Sequence, residues 1–155
     1  MDIESILTPE RTRCGLAAAS KKRAIEEAAT LIATAAGLNA NEIYDRLIAR
    51  EKLGTTAIGE GIAIPHCRIE GCTEIIGGLF RLDSAVDFDA FDNQPVQLLF
   101  VLLVPGEEVD EHLQALGMLA RRFESSEYRE SLLSASGDRD LFERAVHTAS
   151  FRDSA

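Results

Sequence analysis

Residues 96–104 read Val-Gln-Leu-Leu-Phe-Val-Leu-Leu-Val, and every side chain except that of Gln97 is apolar. Successive side chains of a strand point to opposite faces of its sheet, so this stretch predicts a strand buried on both faces. We therefore expect it in the middle of a sheet. Residues 73–82 predict a second strand. Residues 58–65 are β-like and glycine-rich, and Pro65, which has no N–H, predicts a strand end or an edge position there.

Helical patterns precede and follow these strands. Ser20 and Asn41 predict the N-caps of two helices that end at Gly37 and Gly54. Between the two longer strands, residues 87–95 are rich in turn-forming side chains. After the strands, helices are predicted over residues 110–123, 126–135 and 138–149. Helices, then strands, then helices indicate a sheet covered by helices in an α/β or α+β sandwich.

Composition narrows the class of protein. The chain has 155 residues, with 26 acidic side chains against 16 Lys and Arg, and a net charge of −10. This predicts one domain, followed by a short polar tail at residues 151–155, and it argues against a nucleic-acid binder. No apolar run approaches the roughly 20 residues that span a bilayer, and the start lacks a secretory pattern. Three cysteines predict no disulfide framework, which favours a reducing cytoplasm.

His66 is the first candidate for chemistry. It follows Pro65 at the expected end of a strand, where a rigid sheet can position an exposed side chain. Imidazole titrates near pH 6.5, so a neutral ring is available as a base, a metal ligand or a nucleophile. A loop histidine without a role is an equally good interpretation of this local pattern.

Two more residues have both a functional and a structural interpretation. His112 projects from the apolar side of its predicted helix, near the N-terminal end, and suits a partly buried structural role or a site role. Arg50, at the end of the second helix, is either a solvated charge or a guanidinium that matches phosphate geometry. His147 is expected on the surface.

Other motifs are missing from the sequence. It contains no phosphate-binding loop of the GxxxxGK[ST] type and no dinucleotide-binding GxGxxG after a strand. Cys67 and Cys72 lie near His66, but no second Cys or His pair has zinc-site spacing, so no metal is predicted. Cys67 as a nucleophile lacks a hydrolase signature and is better explained as a small packing residue.

The stretch Glu51-Lys-Leu-Gly-Thr-Thr-Ala-Ile-Gly-Glu-Gly-Ile-Ala-Ile-Pro-His66-Cys resembles the phosphorylation-site signature of mannitol/fructose-type IIA proteins of the bacterial phosphoenolpyruvate phosphotransferase system. Further segments are similar to the nitrogen-regulatory branch, IIA-Ntr, and the resemblance covers about residues 5–145. These segments are Ser20-Lys-Lys-Arg-Ala-Ile-Glu, Ala49-Arg-Glu-Lys-Leu-Gly, Phe88-Asp-Ala-Phe-Asp-Asn-Gln-Pro-Val, Leu103-Val-Pro and Glu111-His-Leu-Gln-Ala-Leu.

The resemblance implies an α/β three-layer sandwich, with a mixed sheet flanked by helices, as a EIIA type-2 domain over residues 1–150. It makes His66 the phosphorylated histidine, His112 the second site histidine and Arg50 the site arginine. The residues that it places in the loop building the phosphoryl pocket are Thr55, Thr56, Gly59, Glu60 and Gly61. Cys67 stands where glycine is usual, and Thr55 where serine is frequent.

By this resemblance, neutral His66 takes a phosphoryl group from an HPr-like carrier, NPr, without a metal or small cofactor. Arg50 and the amides of residues 59–61 would hold the phosphoryl oxygens, and His112 would bind the same group. Apolar loop tips in an acidic surround would form a transient docking face. Targets in potassium transport or sensor kinases are family expectations. Two alternatives stay open, namely a sugar-specific IIA component that passes phosphate to a IIB domain and a binding module that is never phosphorylated.

Overall fold

The computed structural model describes residues 1–106 and 109–154, and within them all side chains except those of residues 109 and 148–154. Two 3-10 turns, Ile3–Ser5 and Pro9–Arg11, come first. The remaining elements, in chain order, are β1 (Thr12–Leu16), α1 (Lys21–Ala36), α2 (Ala40–Glu51), β2 (Ala57–Gly59), β3 (Ile62–Ala63), β4 (His66–Arg68), β5 (Ile76–Val86), β6 (Val96–Val104), α3 (Val109–Phe123), α4 (Ser126–Leu133) and α5 (Asp138–Ser154).

Strand β6 lies in the middle of the sheet, as its sequence predicts. The strand order is β1-β5-β6-β3-β2, and the short β4 also pairs with β6. β6 is antiparallel to β5 but parallel to both β3 and β4, so the sheet is mixed. The predicted α/β sandwich with a mixed sheet between helical layers is confirmed.

The side chains of β6 alternate between two separate cores. Leu99, Val101 and Leu103 pack against α1 and α2. Leu98, Phe100 and Leu102 pack against α3, α4 and α5 on the other face. Each of these six side chains is at most 1% exposed, which explains why the strand carries no polar face.

The first two helices begin and end at the kinds of capping residue that the sequence predicts, but one cap lies at a different residue. The Ser20 side chain accepts a hydrogen bond from the Arg23 N–H, and Gly37 ends α1 with a φ of 70°. The cap of α2 is Asn39 rather than the predicted Asn41. Asn39 is the extended residue before the helix, and its side chain accepts from the Glu42 N–H. Asn41 already lies inside the first turn.

Several boundaries differ from the predictions. The strand predicted at residues 73–82 is Ile76–Val86, and the helix predicted at 126–135 stops at Leu133. The last helix continues from Asp138 to Ser154, so the segment that we predicted as a polar tail is largely helical. β1 was not predicted at all, because its five residues, Thr-Arg-Cys-Gly-Leu, are buried only at the two ends and show no alternation.

The short strand β4 is placed so that two helices can reach it. Among the described residues it pairs with β6 alone, which leaves its other side free of a neighbouring strand. Pro65 precedes β4 and has no N–H that would be left unpaired at this edge of the sheet. Its carbonyl accepts a hydrogen bond from the Leu102 N–H at 2.9 Å. His66 is the first residue of β4 rather than a residue beyond a strand end. Among the described residues, no helix has the length and apolar character needed to cross a membrane.

Candidate functional site

His66 is held by one hydrogen bond that fixes its tautomer. The Nδ1 atom lies 2.9 Å from the carbonyl oxygen of Ile64. A carbonyl can only accept, so Nδ1 carries the proton of the neutral ring. Nε2 is then the nitrogen with the free lone pair. The ring is half-buried, so this nitrogen belongs to a partly desolvated imidazole with a defined orientation.

His112, in the first part of α3, lies beside His66 in one pocket. The two ring centroids are 5.2 Å apart and the rings meet edge to face at 66°. The Nε2 atom of His112 is buried and has no hydrogen-bond partner among the described residues. Such a buried polar atom is costly unless something binds it, so it indicates a place for a ligand.

The pocket around the two rings has a volume of about 320 Å³ and lies between α2, β4 and the start of α3. Residues from the last turns of α2 form one wall, and β4 forms the floor. Its lining consists of Arg46, Ala49, Arg50, Leu53, His66, Cys67, Arg68 and His112. The structure thus brings together His66, His112 and Arg50, which are far apart in sequence.

Both histidines are more easily kept neutral than a free imidazole. Burial lowers the pKa of His66, and the positive charge of Arg50 lowers it further, against the Ile64 carbonyl and the Glu51 charge, which raise it. Burial also lowers the pKa of His112, with contributions from His66, Arg68 and Arg50. Both rings are therefore neutral at pH 7, the state that a nucleophilic imidazole requires.

The pocket is electropositive, although the whole chain is acidic. The charged side chains in its lining, among the described residues, are the arginines Arg46, Arg50 and Arg68. Arg50 is oriented by a 2.9 Å hydrogen bond from its Nη1 to the Gly54 carbonyl. An anion with several oxygens is the ligand that this lining favours.

Sequence reasoning missed Arg46 and Arg68, although both carry a usable signal. Arg46 precedes Arg50 by four residues on α2, and residues at this spacing share a helix face. Arg68 follows His66 by two residues in β4, and residues at this spacing share a strand face.

Cys67, in β4, contributes both to the floor of the pocket and to the core. Its side chain packs with the residues under α1 and α2, and burial raises the pKa of its thiol to about 12. The thiol is protonated at pH 7 and is a poor nucleophile, in line with a packing role. Among the described residues, no group of three or more His, Cys, Asp or Glu side chains is placed to hold a metal ion.

The two predicted pocket threonines are absent from the lining of the histidine pocket. The Thr55 hydroxyl donates to the Phe88 carbonyl and accepts from the Ala57 N–H. Thr56 is buried and is bonded through both its N–H and its hydroxyl to the Glu51 carboxylate. Their hydroxyl groups therefore fix the segment that follows α2.

The glycine-rich loop lies against a different depression. Gly59, Glu60 and Gly61 have φ values of 92°, 58° and 77°, a rare run of left-handed residues. The Glu60 N–H donates to the Asp92 carboxylate at 2.9 Å. Gly59 and Glu60 line a depression with Ile58, Ala120, Phe123, Glu124 and Arg129, and the structure does not bring the loop into the lining of the histidine pocket.

A mixed sheet between helical layers is also the architecture of solved IIA structures that superpose on this chain. A family model described as "Phosphoenolpyruvate-dependent sugar phosphotransferase system, EIIA 2" matches residues 5–145. The chain belongs to this family.

Relatives confirm the resemblance to the nitrogen-regulatory branch. A nitrogen regulatory protein of Pseudomonas aeruginosa is 45% identical over 145 residues, which cover 93% of this chain and 94% of the relative. The crystal structure of the nitrogen regulatory protein IIA-Ntr from Neisseria meningitidis superposes with a TM-score of 0.82 at 40% identity, covering 93% of this chain and 97% of that one. The mannitol IIA structure from Escherichia coli has a TM-score of 0.75 at 22% identity, covers 90% and 98%, and supports the fold alone.

Proposed function

We propose that this protein accepts a phosphoryl group on Nε2 of His66 from an HPr-like carrier, NPr, and regulates target proteins according to its phosphorylation state. The hydrogen bond from Nδ1 of His66 to the Ile64 carbonyl is the observation that carries this proposal. It leaves Nε2 unprotonated in a pocket lined by arginines. Family membership and the nitrogen regulatory relatives support the assignment. We assign the reaction to the cytoplasm, the compartment that the composition favours.

The transfer is a displacement at phosphorus between two imidazoles. The bond from phosphorus to the carrier's histidine breaks as the bond to Nε2 of His66 forms, with the two nitrogens in line. Positive charge develops on the His66 ring, and the Ile64 carbonyl stabilises it through the Nδ1 proton. Donor and product are both phosphoimidazoles, so the transfer is close to thermoneutral and reversible. Catalysis then depends on placement and electrostatics.

Arg50 and His112 supply the binding groups for the phosphoryl oxygens. The Arg50 guanidinium is planar and fixed on one side by the Gly54 carbonyl, which leaves its other N–H groups for the anion. The buried, unpartnered Nε2 of His112 would donate to a phosphoryl oxygen as its N–H tautomer. No step in this scheme calls for a metal or a small cofactor.

A sugar-specific IIA component is the second candidate, because the family description itself names a sugar phosphotransferase system. The test incubates the protein with phosphoenolpyruvate, enzyme I and each candidate carrier, and then with fructose- and mannitol-type IIB domains. Label on His66 from NPr without onward transfer supports the regulator. Fast onward transfer to a IIB domain supports the sugar component. Absence of an acid-labile, base-stable phosphate would contradict both and favour a binding module.

His112→Ala will slow the uptake of the phosphoryl group without removing the acceptor. One hydrogen bond to the phosphoryl oxygens is lost, and groups of this kind contribute about 10-fold to 1,000-fold to rate. Single-turnover labelling by the phosphorylated carrier measures the rate, and the end point measures the acceptor. A rate equal to that of the unmodified protein would show that His112 has only a packing role.

The acid limb of phosphoryl uptake will lie at lower pH than the titration of a free histidine. Protonation of His66 removes the nucleophilic lone pair, and burial and Arg50 lower its pKa below the reference value of 6.5. The acid limb of the rate profile therefore lies below pH 6.5. A single-turnover pH–rate profile, together with an NMR titration of the His66 ring, measures it and separates this limb from titration of the carrier. A limb at or above pH 6.5 that follows the His66 ring would contradict the prediction.

A further inference from the structure

A largely buried polar cluster of Lys21, Glu51 and Thr56 adjoins Arg50 along the chain and lies outside the lining of the histidine pocket. The Glu51 carboxylate accepts from the Thr56 N–H at 2.8 Å and from its hydroxyl at 2.6 Å. It also pairs with Lys21 Nζ at 3.3 Å, where the side chains of Lys21 and Glu51 are only 19% and 5% exposed. Three donors therefore converge on one carboxylate that water scarcely reaches.

The cluster joins four parts of the chain at one point. Lys21 begins α1 and Glu51 ends α2, while Thr56 follows the turn after α2. Lys21 Nζ also lies 3.2 Å from the Asp89 carboxylate and 3.5 Å from the Phe88 carbonyl. A buried ion pair rarely adds net stability over an apolar replacement, because both ions lose their hydration. What this arrangement supplies is a fixed geometry at the end of α2.

The cluster is connected to Arg50 by the backbone and by hydrogen bonds. Arg50 precedes Glu51, and its guanidinium donates to the Gly54 carbonyl at 2.9 Å. The Gly54 N–H in turn donates to the Glu51 backbone carbonyl at 3.1 Å. The turn that carries Gly54 is therefore tied to Glu51 at its beginning, by that bond, and at its end, by Thr56. If the hydroxyl bond of Thr56 is lost, only its N–H still donates to Glu51, so the end of the turn is held less firmly and the Gly54 carbonyl that anchors Arg50 can move.

We propose that Glu51, with Thr56 and Lys21, is a positioning group for phosphoryl transfer, which acts by fixing the Gly54 carbonyl that orients Arg50 toward His66. This inference rests on the proposed function, because it names what holds the phosphoryl-binding arginine in place. Thr56, which sequence reasoning placed in the pocket, thereby has a role one step removed from the phosphoryl group.

The test is a double-mutant cycle between Thr56→Val and Arg50→Ala. Thr56→Val removes the hydroxyl that Glu51 binds and leaves every formal charge unchanged. We expect it to slow single-turnover labelling by about 10-fold to 100-fold in the parent protein, the effect of a displacement near 1 Å. In the Arg50→Ala background the same substitution will leave the rate unchanged, because the group that it positions is gone.

A second readout of the same cycle requires no phosphoryl donor. Arg50 lowers the pKa of His66, so a displaced Arg50 lets that pKa rise in Thr56→Val, whereas Thr56→Val in the Arg50→Ala background leaves it unchanged. NMR titration of the His66 ring measures both. Thr56→Ser, which restores the hydroxyl, will recover the rate and the pKa. Thr34→Val, which removes an exposed hydroxyl bonded within α1, will change neither.

The outcomes separate the two proposals. If Thr56→Val reduces the labelling rate by the same factor in both backgrounds, or changes the His66 pKa equally in both, the cause is a general loss of structure. That result would overturn the positioning role while the function stands. If the parent protein takes no label, the function fails, and the pKa cycle still decides the positioning role. Should Thr56→Val fail to fold, Glu51→Gln, which keeps the side-chain volume, enters the same rate cycle, and additivity there overturns the inference.

Discussion

His66→Ala will take up no phosphoryl group from the phosphorylated carrier. The substitution removes the only ring in the pocket whose tautomer is fixed with Nε2 unprotonated by a described hydrogen bond. His112, 5.2 Å away centre to centre, does not replace it, because in the proposed function its Nε2 carries a proton and donates to a phosphoryl oxygen, and so has no free lone pair. Loss of a covalent acceptor is a loss of the product itself, so labelling falls to background.

The structural cost of this substitution is small, which makes the result interpretable. His66 makes one side-chain hydrogen bond, to Ile64, and is only half-buried. His147→Ala is the matched control, because His147 is exposed on α5 and lies 2.7 Å from Glu143. Thermal unfolding should show both variants folded, and phosphate analysis should find full label on His147→Ala alone. Stoichiometric, acid-labile label on His66→Ala would refute the assignment.

The fold was predictable where burial leaves a clear hydrophobic pattern in the sequence. β6 is apolar throughout because it contacts a core on each face, and that signal survives in a single sequence. The beginning and end of α1 were predictable from Ser20 and Gly37, which cap the helix. β1 and β4 gave no such signal, since strands of five and three residues are too short for a period to appear. Their pairing with β5 and β6 is decided by contacts across the chain.

The site was predictable in its chemistry and less so in its arrangement. His66, His112 and Arg50 were identified by their residue types and by the resemblance, and the structure brings them into one pocket. The position of Thr56 depends on hydrogen bonds to Glu51, and that of the loop at Gly59 on a hydrogen bond to Asp92. No local sequence pattern predicts these bonds. A residue in a signature can support the site without lining it.

An edge strand explains how one pocket combines residues from both helical layers. α2 belongs to one layer and α3 to the other, and the sheet separates the two cores. At β4 the sheet ends, so Arg50 from one layer and His112 from the other both reach His66. The phosphoryl group would therefore sit where the sheet no longer divides the molecule.

Arg50→Ala will slow phosphoryl uptake by about 100-fold to 1,000-fold, the range for removing one preorganised group that stabilises transition-state charge. In the proposed function the guanidinium acts in two ways, because it binds phosphoryl oxygens and its positive charge lowers the pKa of His66. Removing its positive charge makes the ring easier to protonate, so the pKa of His66 rises and the acid limb of the rate profile moves to higher pH. Single-turnover labelling across pH measures both effects at once.

Two matched variants decide whether position or charge is responsible. Arg50→Lys keeps the positive charge but loses the planar fork, so the His66 pKa should stay near that of the parent while most of the rate loss remains. Arg139→Ala removes an arginine that is exposed on α5 and paired with Glu143 at 3.1 Å, and it should change neither quantity. A rate loss below threefold in Arg50→Ala would exclude Arg50 from the phosphoryl site. If Arg50→Ala shifts the His66 pKa without slowing uptake, Arg50 has only an electrostatic effect on the ring. That effect alone changes the rate at pH 7 little, because the ring is already neutral there.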